Sequence, residues 1–196
     1  MASGVSRRLA PGARPNGTEE SAMRRRSLIV PILTLAMLLA SGAPVAAKQC
    51  TNGVACCYGT ARADTLDGTR LANMIQGFGG GDTIAGDAGD DILFGDTQTD
   101  TSHDGDDRIS GEPGNDSLLG GGGDLLAGGD GNDLINAADQ LTLNPGVDTV
   151  RGNDGADTIY ANDGRKDIID CGRGPDTVSF DQGKESVRDC ETRIPS

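Results

Sequence analysis

Large aliphatic residues recur along this chain at a spacing of nine: Leu66, Ile75, Ile84 and Leu93, then Ile109 and Leu118, Leu126 and Ile135, Val150 and Ile159, and finally Ile169 and Val178. A fixed short period of this kind marks a repeat architecture, and it changes how every other residue is read. Written from Gly59, the chain runs GTARADTLD, GTRLANMIQ, GFGGGDTIA and GDAGDDILF without a break. After an insertion at Gly95 to Thr101 it resumes as SHDGDDRIS and GEPGNDSLL. GGGGDLLA lacks one residue, GGDGNDLIN restores the length, and a second insertion occupies Ala137 to Thr142. LNPGVDTVR and GNDGADTIY follow, then ANDGRKDIID, which is one residue long, and CGRGPDTVS. The aliphatic always holds the eighth position of the register, with residues of strand character around it, as in Asp-Thr-Ile-Ala. Glycines at the first, second and fourth positions permit positive φ and close backbone approach, so this half of each unit reads as a tight turn. Turn and short strand therefore alternate along the chain.

The sixth position carries the polar half of the pattern. It is Asp64, Asp82, Asp91, Asp107, Asp116, Asp124, Asp133, Asp148, Asp157, Asp167 and Asp176, with Asn73 the exception. The aliphatics define a thin core and the acids a ladder beside it.

Composition shows how thin that core is. Among 196 residues aromatics are 3%, Trp is absent, Gly numbers 31 and the formal net charge is -13. By composition alone such a chain has little apolar surface to bury and much charge to hold apart. The acidic balance excludes direct binding of nucleic acid or anionic lipid, because the protein's own field repels phosphate. Its natural counterpart is a cation. Stacking the turns brings sixth-position carboxylates of successive coils to about one strand spacing, ~4.8 Å. Carboxylates so close repel unless a cation lies among them. A hard divalent ion that takes several oxygens relieves the conflict by joining carboxylates to turn carbonyls, and calcium suits a flexible all-oxygen cage better than magnesium does.

With these columns in register, the chain resembles the RTX, or haemolysin-type, calcium-binding repeat G-G-x-G-x-D-x-U-x, most closely in GGDGNDLIN and GNDGADTIY; the likeness spans about Gly59 to Ser179. The resemblance implies an all-β fold, a parallel β-roll or β-solenoid in which two nonapeptides make one coil and calcium sits between the turns of units n and n+2. The ion pairs it implies are Asp82 with Asp107, Asp91 with Asp116, Asp116 with Asp133, Asp133 with Asp157, and Asp157 with Asp176. Asp124, Asp148 and Asp167 are further sixth-position ligands, and the third-position acids Asp104, Asp130, Asp154 and Asp163 add donors. Units at Gly59 and Gly68 lack the turn glycines, so the first coil is expected to bind calcium poorly or not at all. Both insertions and the short unit adjoin the sites that use Asp107, Asp124 and Asp148.

Before the repeat, Met23 opens a run of Arg24, Arg25 and Arg26, followed by an apolar stretch from Leu28 to Ala40 and small residues ending Val45-Ala46-Ala47. This is the three-part pattern of a secretory signal peptide over residues 23–47, with 1–22 a surplus extension. Its apolar core is short for a membrane span, so a secreted, extracellular chain with no membrane insertion after cleavage is expected. Residues 48–58 form an N-terminal cap with three cysteines, the roll covers 59–179, and 180–196 is a degenerate C-terminal cap. In it Glu185 and Val187 fall at the sixth and eighth positions. Exported cysteines are usually paired. In the implied roll, Cys171 and Cys190, nineteen residues apart, are neighbours on adjacent coils and form a disulfide. The final DCG and DCE resemble the C-terminal ends of predicted secreted calcium-binding proteins of actinobacterial type. Cys50 pairs with Cys56 or Cys57, and this spacing lacks the paired C-x-x-C of a zinc site.

No catalytic constellation accompanies the repeat: H-E-x-x-H, G-x-S-x-G and the P-loop are all absent. The single histidine, His103, lies in a turn beside Asp104. The runs Gly79 to Gly81 and Gly120 to Gly123 are followed by no lysine, so they are turn glycines and not phosphate cradles. The expectation is a non-enzymatic protein binding several calcium ions. Its alternatives are a calcium-dependent adhesin or binder of surface polysaccharide, and a hydrolase using ladder carboxylates.

Overall fold

A computed structural model describes residues 48–50, 56–96, 105–138 and 146–196. The leader pattern, His103 and Asp104 lie outside the described residues. Among the described residues sixteen strands follow one another in the order β1 (Lys48–Gln49), β2 (Cys56–Tyr58), β3 (Thr65–Asp67), β4 (Met74–Phe78), β5 (Thr83–Ala85), β6 (Ile92–Asp96), β7 (Arg108–Pro113) and β8 (Ser117–Leu119). They continue as β9 (Leu125–Asp130), β10 (Leu134–Asn136), β11 (Thr149–Asp154), β12 (Thr158–Ala161), β13 (Ile168–Arg173), β14 (Thr177–Phe180), β15 (Ser186–Arg188) and β16 (Thr192–Pro195). All odd strands form one eight-stranded sheet and all even strands another, each in sequence order. Neighbouring strands are parallel throughout both sheets. The chain thus winds as a parallel β-roll, two nonapeptides to the coil.

Strand alternation explains what lies inside. Successive side chains point to opposite faces, so the sixth residue of a unit, the eighth, and the first of the next unit all face inward. Leu126 and Gly128 in β9 are buried while Leu125, Ala127 and Gly129 are only half-buried. In the odd sheet the register stacks Leu66, Ile84, Ile109, Leu126, Val150, Ile169 and Val187 rung upon rung. In the even sheet Cys57, Ile75, Leu93, Leu118, Ile135, Ile159 and Val178 do the same. The twelve eighth-position aliphatics from Leu66 to Val178 are at most 2% exposed.

Between β3 and β14 every irregularity in unit length is confined to turns at one edge. The turns leading into the even strands β4 to β14 are all regular, from Gly68–Asn73 to Cys171–Asp176. Those leading into the odd strands include both long ones, Gly95–Asp107 and Ala137–Asp148, the short Gly120–Asp124 and the lengthened Ala161–Asp167. This finding corrects where the insertions begin. Gly95 and Asp96 end β6, with Asp96 beside Phe78, and are the first two residues of the turn that ends at Asp107. Ala137 likewise takes a first-position place, its N–H donating to the carbonyl of Tyr160 as that of Gly120 donates to Asn136. The rungs on either side of the extra residues stay in register.

The ends are closed differently. Cys57, 4% exposed, heads the even aliphatic column and is disulfide-bonded to Cys50. At the other end Cys171 and Cys190 are bonded, with Cα atoms 5.2 Å apart. Arg193 occupies the even-column place after Val178. A charge there, with Pro195 lacking a donor, blunts the edge against further strand addition.

Since each rung contributes one side chain, truncation should be felt locally and fully. Ile135→Ala is expected to destabilise the calcium-loaded protein by about 2–5 kcal/mol, whereas Ile168→Ala, at an exposed outer position, should change stability by roughly 0.5 kcal/mol or less in denaturant unfolding.

Candidate metal ladders

The sixth-position residues, although charged, are nearly as buried as the aliphatics: from Asp82 to Asp176 none is more than 3% exposed. Each is pinned by backbone on both sides. The N–H of Asp82 donates to Oδ1 of Asp107, one coil further on, at 2.7 Å. The same bond joins Asp91 to Asp116, Asp116 to Asp133, Asp133 to Asp157 and Asp157 to Asp176 at 2.7–2.9 Å on the regular edge. On the variable edge it joins Asp107 to Asp124, Asp124 to Asp148 and Asp148 to Asp167 at 2.7–2.9 Å. Bonded residues are separated by 18, 25, 17, 24 or 19 positions along the chain, yet the bond is unchanged. The ladder therefore runs through both insertions and the short unit.

The second carboxylate oxygen has a different fate. Oδ2 of Asp82, Asp91, Asp107, Asp116, Asp133, Asp157 and Asp176 is buried with no hydrogen-bond partner. Neither ion pair at the C-terminal end, Arg173 with Asp154 at 3.4 Å and Arg188 with Asp170, involves a ladder acid. A buried polar atom left bare costs about 1–3 kcal/mol, and more when it carries charge. Burial accordingly raises the carboxyls from 3.8 to about 6 for Asp82 and Asp157, about 7 for Asp91 and Asp133, and about 8 for Asp107. Asp116 and Asp176 are raised from the same cause.

The first-position glycines show what surrounds the bare oxygen. A Cβ on Gly86 would lie 2.3 Å from Asp91 Oδ2 and 2.7 Å from the carbonyl oxygen of Gly111, one coil on. At Gly111 the same two neighbours are Asp116 Oδ2 and Gly128 O, at 2.3 and 2.4 Å, and at Gly128 they are Asp133 Oδ2 and Gly152 O, at 2.2 and 2.8 Å. The absent side chain leaves a cradle between a carboxylate oxygen and a carbonyl of the next turn. Both are hard oxygen donors of the kind calcium takes. Among the described residues no three His, Cys, Asp or Glu side chains converge on one point. An ion held here would therefore draw part of its shell from main-chain carbonyls. The second-position residues adopt positive φ even when they are not glycine, at Phe78, Asp87, Glu112 and Asn153.

The profile of the RTX calcium-binding nonapeptide repeat matches residues 58–93, 67–102, 101–135, 120–140 and 142–178. The chain belongs to this family. No curated protein matches it. The buried row of bare carboxylate oxygens fits the calcium that the RTX repeat is named for, and the β-roll is a calcium-binding one.

Of the third-position acids, Asp130 and Asp154 are exposed, Asp154 facing Arg173, while Asp163 receives the N–H of Arg165 on Oδ1 and buries Oδ2. Three features of this RTX roll were not read from the sequence. Glu191 accepts the N–H of Asp176 at 2.9 Å and ends the regular ladder in place of another aspartate. Asp96, 4% exposed, accepts the N–H of Gly105 and adds negative charge beside Asp107. A second, exposed ladder runs at the fifth position, where Asn115 donates to Asp90, Asn132 to Asn115 and Ala156 to Asn132 at 2.8–2.9 Å. The recurring Asn-Asp of GEPGND and GGDGND was its only sequence signal.

The raised carboxyls set a pH dependence. Between about pH 4 and 8 the folded roll binds more protons than the unfolded chain, so calcium-free stability falls as pH rises through that window. Thermal unfolding in calcium-free buffer should show its highest Tm at the acid end. Calcium affinity should move the opposite way and weaken on acidification, because protons compete for the same oxygens.

Proposed function

We propose that this is a secreted calcium-binding protein whose β-roll folds on, and is held by, calcium ions bound between stacked turns. The observation that carries the proposal is the row of buried, unpartnered Oδ2 atoms, those of Asp82, Asp91, Asp116, Asp133 and Asp157 sharing a first-position cradle with a carbonyl of the following coil. Ligands on the regular edge are Asp91, Asp116, Asp133, Asp157 and Asp176, and on the variable edge Asp82, Asp107, Asp124, Asp148 and Asp167. Calcium would supply charge neutralisation and a flexible oxygen shell, and the chain's own part is to hold each carboxylate by Oδ1. Residues 23–47 direct export, in keeping with the two disulfides. Residues 48–58 and 180–196 act as caps.

A second reading, a calcium-dependent adhesin or polysaccharide binder, draws support from the outer face of the even sheet. Tyr58, Met74, Ile92, Leu134, Tyr160 and Ile194 are all exposed on it. Glycan-array binding with and without calcium tests that reading.

Circular dichroism of the mature chain during a calcium titration tests the main proposal. β structure should appear cooperatively, with a midpoint of roughly 10⁻⁴ to 10⁻³ M. An unchanged spectrum up to millimolar calcium defeats it. Asp133→Ala should raise the midpoint well above that of Asp64→Ala, since Asp133 borders regular turns on both sides.

A further inference from the structure

We infer that the first coil holds no calcium, and that Thr60 and Thr69 take the ion's place there. The inference rests on the calcium reading of the later turns. In the first coil both backbone N–H and hydroxyl of Thr60 donate to Oδ2 of Asp64, at 2.6 and 2.8 Å. Thr69 makes the same two bonds to Oδ1 of Asn73, at 2.6 and 3.2 Å. The oxygen that is bare in the later turns is thus fully occupied in these two.

Among the six-residue turns from Gly59 to Asp176 the backbone follows the same division. Second-position residues are left-handed at Phe78, Asp87, Glu112, Gly129, Asn153 and Gly172, whereas Thr60 and Thr69 are not. At Thr60 and Thr69 the second-position N–H points at the sixth-position oxygen. A left-handed residue turns it away. The acceptor has also moved: a Cβ on Gly59 would lie 3.0 Å from Asp64 Oδ2, and one on Gly68 2.8 Å from Asn73 Oδ1. The corresponding distances at Gly77, Gly86, Gly111, Gly128 and Gly152 are 2.0–2.3 Å. The threonines draw the oxygen out of the cradle that it fills elsewhere.

Asn73 shows why the substitution is self-consistent. An amide oxygen accepts from a hydroxyl and an N–H as well as a carboxylate does, but it brings no charge for a cation to neutralise. The Oδ1 side of the ladder is meanwhile kept, since the N–H of Asp64 still donates to Asp82 and that of Asn73 to Asp91, both at 2.7 Å. The first coil therefore joins the roll by the same backbone bond as every other coil and differs only at the ion's end of the carboxylate. Calcium begins one coil later.

Equilibrium dialysis of the mature chain against calcium chloride counts the ions bound, and hydrogen exchange of the Thr83 amide, which bonds to the carbonyl of Asp64, reports on the first coil. Asp64→Asn should leave the ion count unchanged, while Asp116→Asn should lower it by at least one. Thr60→Val should speed exchange at Thr83 about fivefold in saturating calcium, the loss of roughly one hydrogen bond, without changing the count. The inference is overturned if Asp64→Asn lowers the count as Asp116→Asn does, or if Thr60→Val releases an ion. Absence of saturable binding in the unaltered chain would instead overturn the calcium reading beneath it.

Discussion

A carboxylate buried by one oxygen and stranded by the other is the constraint on which this protein depends. Strand alternation forces the sixth residue of each unit inward, where water cannot solvate it. Oδ1 is compensated by an N–H from the preceding coil, a charge-assisted bond that fixes the stacking register. Oδ2 is left without a donor and, in the regular turns from Gly77 to Asp157, shares its cradle with a turn carbonyl, a second acceptor. Two like-signed donors of electron density in a dry corner are unfavourable without a positive charge between them. Calcium or, on acidification, a proton answers that need.

This division of labour within one side chain explains the tolerance of the fold for irregular units. The rung is defined by three inward residues, acid, aliphatic and first-position residue, and by the Oδ1 bond. The path between the first-position residue and the acid is free to vary provided both ends arrive in place. Between β3 and β14 the insertions, the deletion and the extra residue all occur in that path. Their gathering on one edge leaves the other with an unbroken series of regular turns from Gly68 to Asp176. The two edges of the roll are thus chemically distinct: one is a uniform oxygen ladder with a parallel Asx ladder on its surface, the other an oxygen ladder joined by turns of unequal sequence length.

The ends obey the same physics with different groups. At the start, threonine N–H and hydroxyl groups compensate the oxygen that calcium would otherwise meet, and the Cys50–Cys57 disulfide closes the first rung. At the finish, Glu191 supplies the last acceptor, the Cys171–Cys190 disulfide ties adjacent coils, and Lys184 donates to the carbonyl of Gly164 at 3.0 Å. A thin core of one aliphatic per rung needs such closures, because terminal coils lack a neighbour on one side.

By itself the sequence determined the repeat, the inward aliphatic column, the acid column and the need for a cation, because all of these are local: they follow from residue type and a period of nine. Roll architecture and the bonded cysteine pair near the C-terminus were also legible through the resemblance that those columns carry. What only the tertiary structure decided are relations across 17 to 25 residues. Coil closure assigned alternate units to opposite edges and so sorted the irregular turns onto one of them. It placed Gly95 and Asp96 inside a turn that the sequence had read as insertion. It separated Oδ1 from Oδ2, which no sequence distinguishes, and set Thr60 beside Asp64 through a turn whose φ values are invisible in the letters. Periodicity specifies what each rung contains; the stacking of one rung on the next specifies which oxygen remains for the ion.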